Sequence, residues 1–303
     1  VPEFTIAGLR VVQAVADTGS FTAAAERVGY TQSAVSRQVA TMEAAAGLPL
    51  FRREARGVTP TPAGMHVVRR ASTVLAELSG MTRDLAALGE GLGGRVVLGS
   101  FPTAASVLVP QTVRRLAHAH PAMRVELREA STPALLRQLR AGRVDVAVVA
   151  VGAGLPDQDL DGLVARTLPG AGMRLAVPSG HRLAGKESVG PADLEAEVWV
   201  VGEGLRTDPQ LAAWPTLTDP VVGYAAPSLA TRLGLVAAGL GVALIPSLAA
   251  LSVPRGVEVI TFRDPGWAGR RALALVRDEP EPSAAGVVVD ELVDCASALL
   301  GER

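Results

Sequence analysis

Lysine is nearly missing from this chain. Of its 29 basic residues only Lys186 is a lysine, and with Ala, Gly, Val and Arg abundant this points to a GC-rich genome more than to a functional choice. Cysteine is as scarce, with Cys295 alone. One thiol excludes an internal disulfide framework, fits a reducing cytoplasm and cannot build a common zinc site. The helical spacing around Cys295 makes it a buried helix residue rather than a redox sensor. Histidine is limited to four residues: His118 and His120 diverge at a helix end, and His66 and His181 stand alone. No nucleophile-elbow pattern surrounds a serine. Hence no catalytic residue, metal site or cofactor is expected.

An excess of either charge is also absent. With 29 basic against 30 acidic residues, net charge alone indicates neither nucleic acid nor an anionic membrane surface. The start, VPEFTIAGLRVVQ, has no basic segment ahead of a long apolar core, so no secretion signal is expected and the protein is placed in the cytoplasm. Repeats and low-complexity tracts are missing. One uncharged run, Leu233 to Pro254, has 22 residues and on length alone would cross a bilayer. Gly239, Gly241 and Pro246 interrupt it, and it is read as a buried helix, turn and strand, with no membrane partner.

What the chain does have is basic charge in one place. Between Arg27 and Arg70 seven arginines face two acids, Glu43 and Glu54, leaving +5 there and −6 elsewhere. The same region reads as short helices followed by a hairpin. Ile6, Leu9, Val12 and Val15 recur at helical spacing; Gly19-Ser20 breaks the pattern and caps a helix from Phe21 to Val28. Gly29-Tyr30 turns the chain, and Thr31 is placed to cap a third helix ending near Gly47. LPLFRREARGVTPTPAG then offers a strand, an arginine-rich turn closing at Gly57 and an extended return. Thr61-Pro62 starts a long helix to about Leu88, whose Val68, Leu75, Leu78 and Leu85, with Ala71 and Thr82, form a heptad-like stripe suited to pairing with another helix.

That helix ends in the glycine-rich GEGLGGR. A phosphate-binding loop follows a strand and opens a helix, whereas this one follows a helix and opens a strand, so it is read as a hinge. Beyond Arg95 strands and helices alternate: RVVLGS, a helix over 103–118, RVELREA, a helix to Ala141, and VDVAVVAV. After a polar crossing at Gly152 to Gly162 come RLAVP, VWVVG, VVGYAA, a helix over 229–240 and GVALIP, then VEVITF, RALALVR and a final helix of Val288, Leu292, Cys295 and Leu299. This is α/β architecture in two lobes, and two lobes joined by crossings imply a cleft.

Counted at 100° per residue, the third helix places Val35, Val39 and Met42 toward the second helix, while Ser33 and Arg37 point away with Gln32 and Ser36 at the edges. Ala25, Gly29 and Val35 supply a small residue at a helix crossing, a glycine in the turn and an apolar anchor, the spacing of a helix-turn-helix. A polar helix face alone is as consistent with solvent as with DNA. The adjoining Arg52, Arg53 and Arg56 shift the reading toward a wing that follows a phosphate backbone or enters a minor groove.

From Leu9 to Gly64, GSFTAAAERVGYTQSAVSRQVATMEAAAGLPLFRREARGVTPTPAG and its flanks resemble the DNA-binding head of LysR-type transcriptional regulators, and AGLGVALIP extends the likeness into the second lobe. Val12, often aromatic in the family, and Tyr30, usually aliphatic, depart from the pattern. The resemblance implies a winged helix-turn-helix domain over 1–61, a linker and dimerisation helix with hinge over 62–94, and an effector-binding domain over 95–303. The last is two-lobed and of the periplasmic-binding-protein type, with lobe I over about 95–163 and 267–303 and lobe II over about 164–266. It implies a homodimer, commonly a tetramer of two dimers, that binds promoter DNA under control of a small molecule in the cleft. Carried onto this sequence, Thr31, Gln32, Ser33, Ser36 and Arg37 face double-stranded DNA from the helix, and Arg52, Arg53 and Arg56 from the wing.

The ends of GSFPT and EASTP, each followed by a helix, present the hydroxyls of Ser100, Thr103, Ser131 and Thr132 and helix N-terminal amides to one ligand. Capping alone would explain each hydroxyl equally well. The resemblance places these loops, with Phe101, at the cleft, and adds Val149, Glu203, Pro227 and Ser228. Glu203 would repel an acid unless Arg206 offsets it, so the sign of the effector's charge stays open at this level. Two other classes compete: a two-lobed solute-binding protein, which would carry an export signal and no arginine-winged head, and a small-molecule enzyme with an added head, which would carry a polar catalytic cluster.

Overall fold

The computed structural model describes residues 3–54, 57–90, 94–202, 212–267, 269–278 and 283–301, and the side chains of 76, 77, 79 and 82–90 are outside that description. The chain divides into two compact units, Val1–Gly91 with Arg137–Val144, and Leu92–Leu136 with Asp145–Arg303.

The first unit opens with α1 (Ile6–Thr18), α2 (Phe21–Val28) and α3 (Gln32–Ala46). Each begins where a hydroxyl closes its first turn. Thr5 accepts from Gly8 N at 3.0 Å, Ser20 from Ala23 N at 3.3 Å and Thr31 from Ala34 N at 3.2 Å, satisfying donors that the helix itself leaves open. Gly29 ends α2 at φ 72, a left-handed conformation that a residue with a Cβ adopts only at a cost, and this sets the tight turn into α3. Where α1 crosses α3, Gly8 has no side chain because one there would collide with Met42 Sδ.

Two apolar clusters hold this unit. Val11, Ala14, Val15, Ala24, Ala25, Val35 and Val39 form one between the three helices. Leu9, Val12, Met42, Leu50, Ala71 and Leu75 form the other, with Val68 and Leu78 against it. Met42 therefore faces α1 and the long helix α4 (Pro62–Glu90), not α2. Ile6, expected on the buried stripe, is exposed. Val11, outside that stripe, is fully buried.

The hairpin is β1 (Phe51–Glu54) against β2 (Gly57–Pro60), antiparallel, with Arg52 opposite Thr59 and Arg53 opposite Val58. Glu43 on α3 fixes its start, accepting from Leu50 N at 2.8 Å and Phe51 N at 3.3 Å. Its return is fixed by Val58 N donating to Gly19 O at 2.9 Å. Thr61 both closes the first turn of α4, accepting from Gly64 N at 3.0 Å, and donates to Pro49 O at 2.7 Å. The α4 stripe faces inward. Its described members, Val68, Ala71, Leu75 and Leu78, pack on the unit's own core and not toward a partner helix, while Val74 and Met81, outside the predicted stripe, are exposed; Thr82 and Leu85 lie outside the described side chains.

The second unit has three sheets. A five-stranded sheet runs β4 (Arg124–Glu129), β3 (Arg95–Ser100), β5 (Val146–Gly152), β13 (Arg270–Arg277), β6 (Leu163–Leu168), parallel over β4-β3-β5 and antiparallel around β13. Against it lie α5 (Pro102–Ala119) and α8 (Ala284–Leu300), joined to the sheet by a core of Leu98, Leu108, Leu116, Val146, Val148, Val288 and Leu292 among others. Cys295 is buried in that core, as its helical spacing predicts. The helix α6 (Thr132–Arg140) connects β4 to β5.

A four-stranded sheet, β11 (Ala243–Pro246), β7 (Met173–Pro178), β12 (Val257–Phe262), β8 (Ser188–Val189), and a pair, β10 (Val221–Ala225) with β9 (Val198–Val201), build the second lobe. The helix α7 (Leu229–Ala237) packs there through Leu233 and Val236. The uncharged run from Leu233 is α7, β11 and a 3-10 turn at Ser247–Ser252; Leu233, Val236, Leu244, Ile245 and Leu248 are buried as expected, whereas Leu240 and Leu251 are exposed. Among the described residues no helix is long and apolar enough to cross a membrane.

One boundary moves. The segment Gly152–Gly162 does not leave the first lobe, because β6 follows it and pairs with β13 from Leu168↔Ala272 to Leu163↔Arg277. The chain crosses only after Leu168. The sequence hides β6 because it is an edge strand with most of its residues exposed, so it shows no alternation of apolar and polar residues.

Candidate functional site: nucleic-acid interface and ligand cleft

On α3 the packing of Val35 and Val39 turns a polar face outward. Thr31, Gln32, Ser33 and Arg37 are exposed and Ser36 is half-buried. Gln32 Nε2 donates to Ser36 Oγ at 3.3 Å, and Thr31 Oγ1 lies 3.1 Å from Ser33 Oγ. These bonds order donors and acceptors along one side of the helix. Among the described residues the Arg37 guanidinium has no ion pair. A planar fork of donors on an exposed helix matches the O6/N7 edge of a guanine in the major groove, and the amide and hydroxyls beside it match other base edges or phosphate.

The wing adds charge. Arg52 and Arg53 are exposed and, as strand neighbours, leave on opposite faces. Arg53 is held with its guanidinium carbon 5.6 Å from the centre of the Phe21 ring, and Phe21 in turn meets Phe51 edge-on at 6.4 Å. Arg53 is thus oriented by α2, while Arg52 is paired in register with Thr59. Arg56, at the turn, lies outside the described residues.

In the second unit a cleft of about 590 Å³ opens between the two lobes. Of the sequence-predicted residues, Phe101, Thr103, Ser131, Thr132, Pro227 and Ser228 line it. Ser100 and Val149 do not. Both are fully buried, and Ser100 Oγ donates to Phe101 O at 3.2 Å. At Val149 the difference is one residue: its neighbour Ala150 lines the cleft and pairs with Ala272, which also lines it, and a shift of one along a strand changes the face. Glu203 and Arg206 lie outside the described residues.

The cleft also has members not singled out from sequence: Arg232, Arg270, Arg271, Glu129 and Met173. Arg232 is only 2% exposed. It sits on the buried stripe of α7 with Leu233 and Val236, and a charge on an apolar stripe is a signal that sequence reading can use. Arg270 is fixed by donating through Nε to Ala153 O at 2.9 Å and by lying 5.8 Å from the Trp267 ring centre. Thr132 Oγ1 accepts from Ala150 N at 3.3 Å. The first turn of α5 has no side-chain cap, since Phe101 precedes Pro102, whereas Ser228 caps α7 through Thr231 N at 3.0 Å. No group of three His, Cys, Asp or Glu able to hold a metal ion occurs among the described residues.

A winged helix-turn-helix with an outward basic face, followed by a two-lobed unit with a ligand-sized cleft, defines a ligand-responsive DNA-binding regulator. The comparisons give the family. The family model for the lysR-family bacterial regulatory helix-turn-helix protein matches residues 6–65, and that for the LysR substrate binding domain matches 89–296. The chain is 32% identical over 278 residues to a probable hydrogen peroxide-inducible genes activator of Streptomyces viridosporus, covering 89% of this chain and 88% of that protein. In fold it is similar to full-length OxyR of Pseudomonas aeruginosa carrying a cysteine-to-aspartate substitution, with TM-score 0.67, 24% identity and coverage of 97% and 95%. It is likewise similar to full-length CbnR complexed with its target DNA, with TM-score 0.59, 21% identity and coverage of 96% and 100%. The chain belongs to the LysR family of bacterial transcriptional regulators: it binds DNA, responds to a small-molecule effector and is not an enzyme.

Proposed function

We propose that this regulator reads its promoter with Thr31, Gln32, Ser33, Ser36 and Arg37 in a major groove and steadies itself on phosphates with Arg52, Arg53 and Arg56. The observation that carries the reading is the exposed polar face of α3, with Arg37 outside any ion pair among the described residues, next to a basic hairpin. Residues 1–61 act as the DNA-binding domain, 62–94 as linker and dimerisation helix, and 95–303 as the effector domain. Pairing through α4 gives a dimer, and two dimers a tetramer, in the cytoplasm. The exposed Val74 and Met81, seven residues apart on one side of α4, support that pairing, because a heptad repeat keeps an apolar seam on one face.

The effector occupies the cleft lined by Phe101, Thr103, Ser131, Thr132, Pro227 and Ser228. Similarity to hydrogen peroxide-inducible activators suggests peroxide as a trigger, but the composition argues against one route to it. With Cys295 as its single cysteine the chain cannot close a disulfide within itself, and burial pushes the Cys295 thiol up, away from the thiolate that peroxide oxidises.

Selection of bound sequences from a random DNA pool tests the proposal. A recurrent motif with two related half-sites is expected. Retention without sequence preference would contradict it.

A further inference from the structure

A second cavity, which shares no lining residue with the cleft, lies in the first compact unit. Its volume is about 620 Å³, and one side of α1, the end of α2 and the turn into α3 supply most of its walls. Arg143 completes it, and all ten lining residues belong to that unit. We propose that this cavity binds a nucleoside phosphate, with the phosphate among Arg10, Arg27 and Arg143 and the base against Tyr30 and Ile6.

Charge sets the class of ligand. The lining holds three arginines and no carboxylate. Asp17 adds one negative charge beside them, since its Oδ2 lies 3.2 Å from a terminal nitrogen of Arg27 and 3.2 Å from one of Arg143. Three positive charges against one leave an excess that suits a phosphate monoester, at about −1.5 to −2, better than a singly charged acid. Each contact with Asp17 uses one terminal nitrogen, and Arg10, exposed on α1, has no ion pair among the described residues. Donors of all three forks can therefore converge on the oxygens of one anion.

Apolar surface sets the body of that ligand. Ile6 is 46% exposed and Tyr30 is 47% exposed, so two large side chains flank the arginines with much of their area in water. A planar base stacks on a tyrosine ring and on a guanidinium plane, and it takes Ile6 out of water. Inorganic phosphate would fill a small part of the cavity and leave both side chains wet, whereas a nucleoside would leave the arginines without a counter-charge. A phosphodiester of duplex DNA carries a single charge and keeps its base in the stack, so it meets neither requirement.

Calorimetry on the full chain tests this with AMP, GMP, ADP and GDP, the nucleosides adenosine and guanosine, ribose 5-phosphate and inorganic phosphate. Saturable binding of at least one nucleotide is expected, with its nucleoside, ribose 5-phosphate and inorganic phosphate each weaker by about tenfold or more. Arg10→Gln should weaken that nucleotide about tenfold and leave DNA binding and the melting temperature as in the parent, because Arg10 is exposed. Tyr30→Leu, which keeps an apolar side chain and removes the ring, serves as the second variant and should weaken it about threefold. Arg37→Ala and Arg52→Ala, on the DNA-facing surface, should bind the nucleotide as the parent does. Loss of nucleotide binding in those two variants would place the ligand on the DNA surface and overturn the proposal. No saturable nucleotide binding, equal affinity for nucleotide and nucleoside, or unchanged affinity in Arg10→Gln would also overturn it.

Discussion

Arg52 and Arg53 are adjacent and alike in charge, yet their surroundings assign them different parts. Arg52 lies in register with Thr59 and makes no ring contact among the described residues, and Arg52→Ala should weaken binding uniformly across sequences and flatten the salt dependence by about one unit in the slope of log K against log salt. Arg53 is held over Phe21, so Arg53→Ala should in addition lower stability by ~0.5–1 kcal/mol, read as a lower melting temperature without DNA. Anisotropy titrations at several salt concentrations separate the two. Cys295 makes a further residue-scale prediction. Burial raises its thiol pKa, and Glu291, whose Oε1 lies 3.6 Å from Sγ, does not favour the thiolate. A thiol-specific reagent at pH 8 should therefore react slowly with folded protein and at the rate of a free thiol in denaturant.

At the scale of elements, α4 changes role along its length. Leu75 is buried against α1 and α3, and Leu75→Ala should cost ~2–5 kcal/mol of stability in the DNA-binding unit. Met81 is exposed, and Met81→Asp should leave the melting of that unit nearly unchanged while shifting sedimentation toward monomer. The first three helices and α4 were legible in the sequence because their signals are local: Ser20, Thr31 and Thr61 cap, Gly29 turns, Pro62 starts. The facing of Met42 was not, since 3.6-residue periodicity identifies the buried side of a helix but not the neighbour that fills it. Strand β6 was missed for a related reason. Its pairing with β13 is a backbone property, and an exposed edge leaves no apolar pattern to read.

At the scale of the whole molecule, the order of a DNA-binding head, a long helix and two α/β lobes followed from where local patterns change along the chain. The cleft was legible only in part. Loops that cap helices, at Phe101, Thr103, Ser131 and Thr132, announce themselves by residue type and position. Arg232 and Arg270 reach the same cleft from segments 100 or more residues away, and only the fold brings them there. Charge is likewise uneven along the chain, +5 between Arg27 and Arg70 and −6 elsewhere, so raising ionic strength should weaken DNA binding far more than effector binding. The central claim, that α3 reads base sequence, is tested most directly by titrating parent and Arg37→Ala against the selected DNA motif and a scrambled one at a single salt concentration. The account predicts that Arg37→Ala loses affinity for the motif by a factor of ten or more, at ~1–3 kcal/mol for a bidentate base contact, and approaches its affinity for scrambled DNA. Motif binding as tight as the parent's would contradict it.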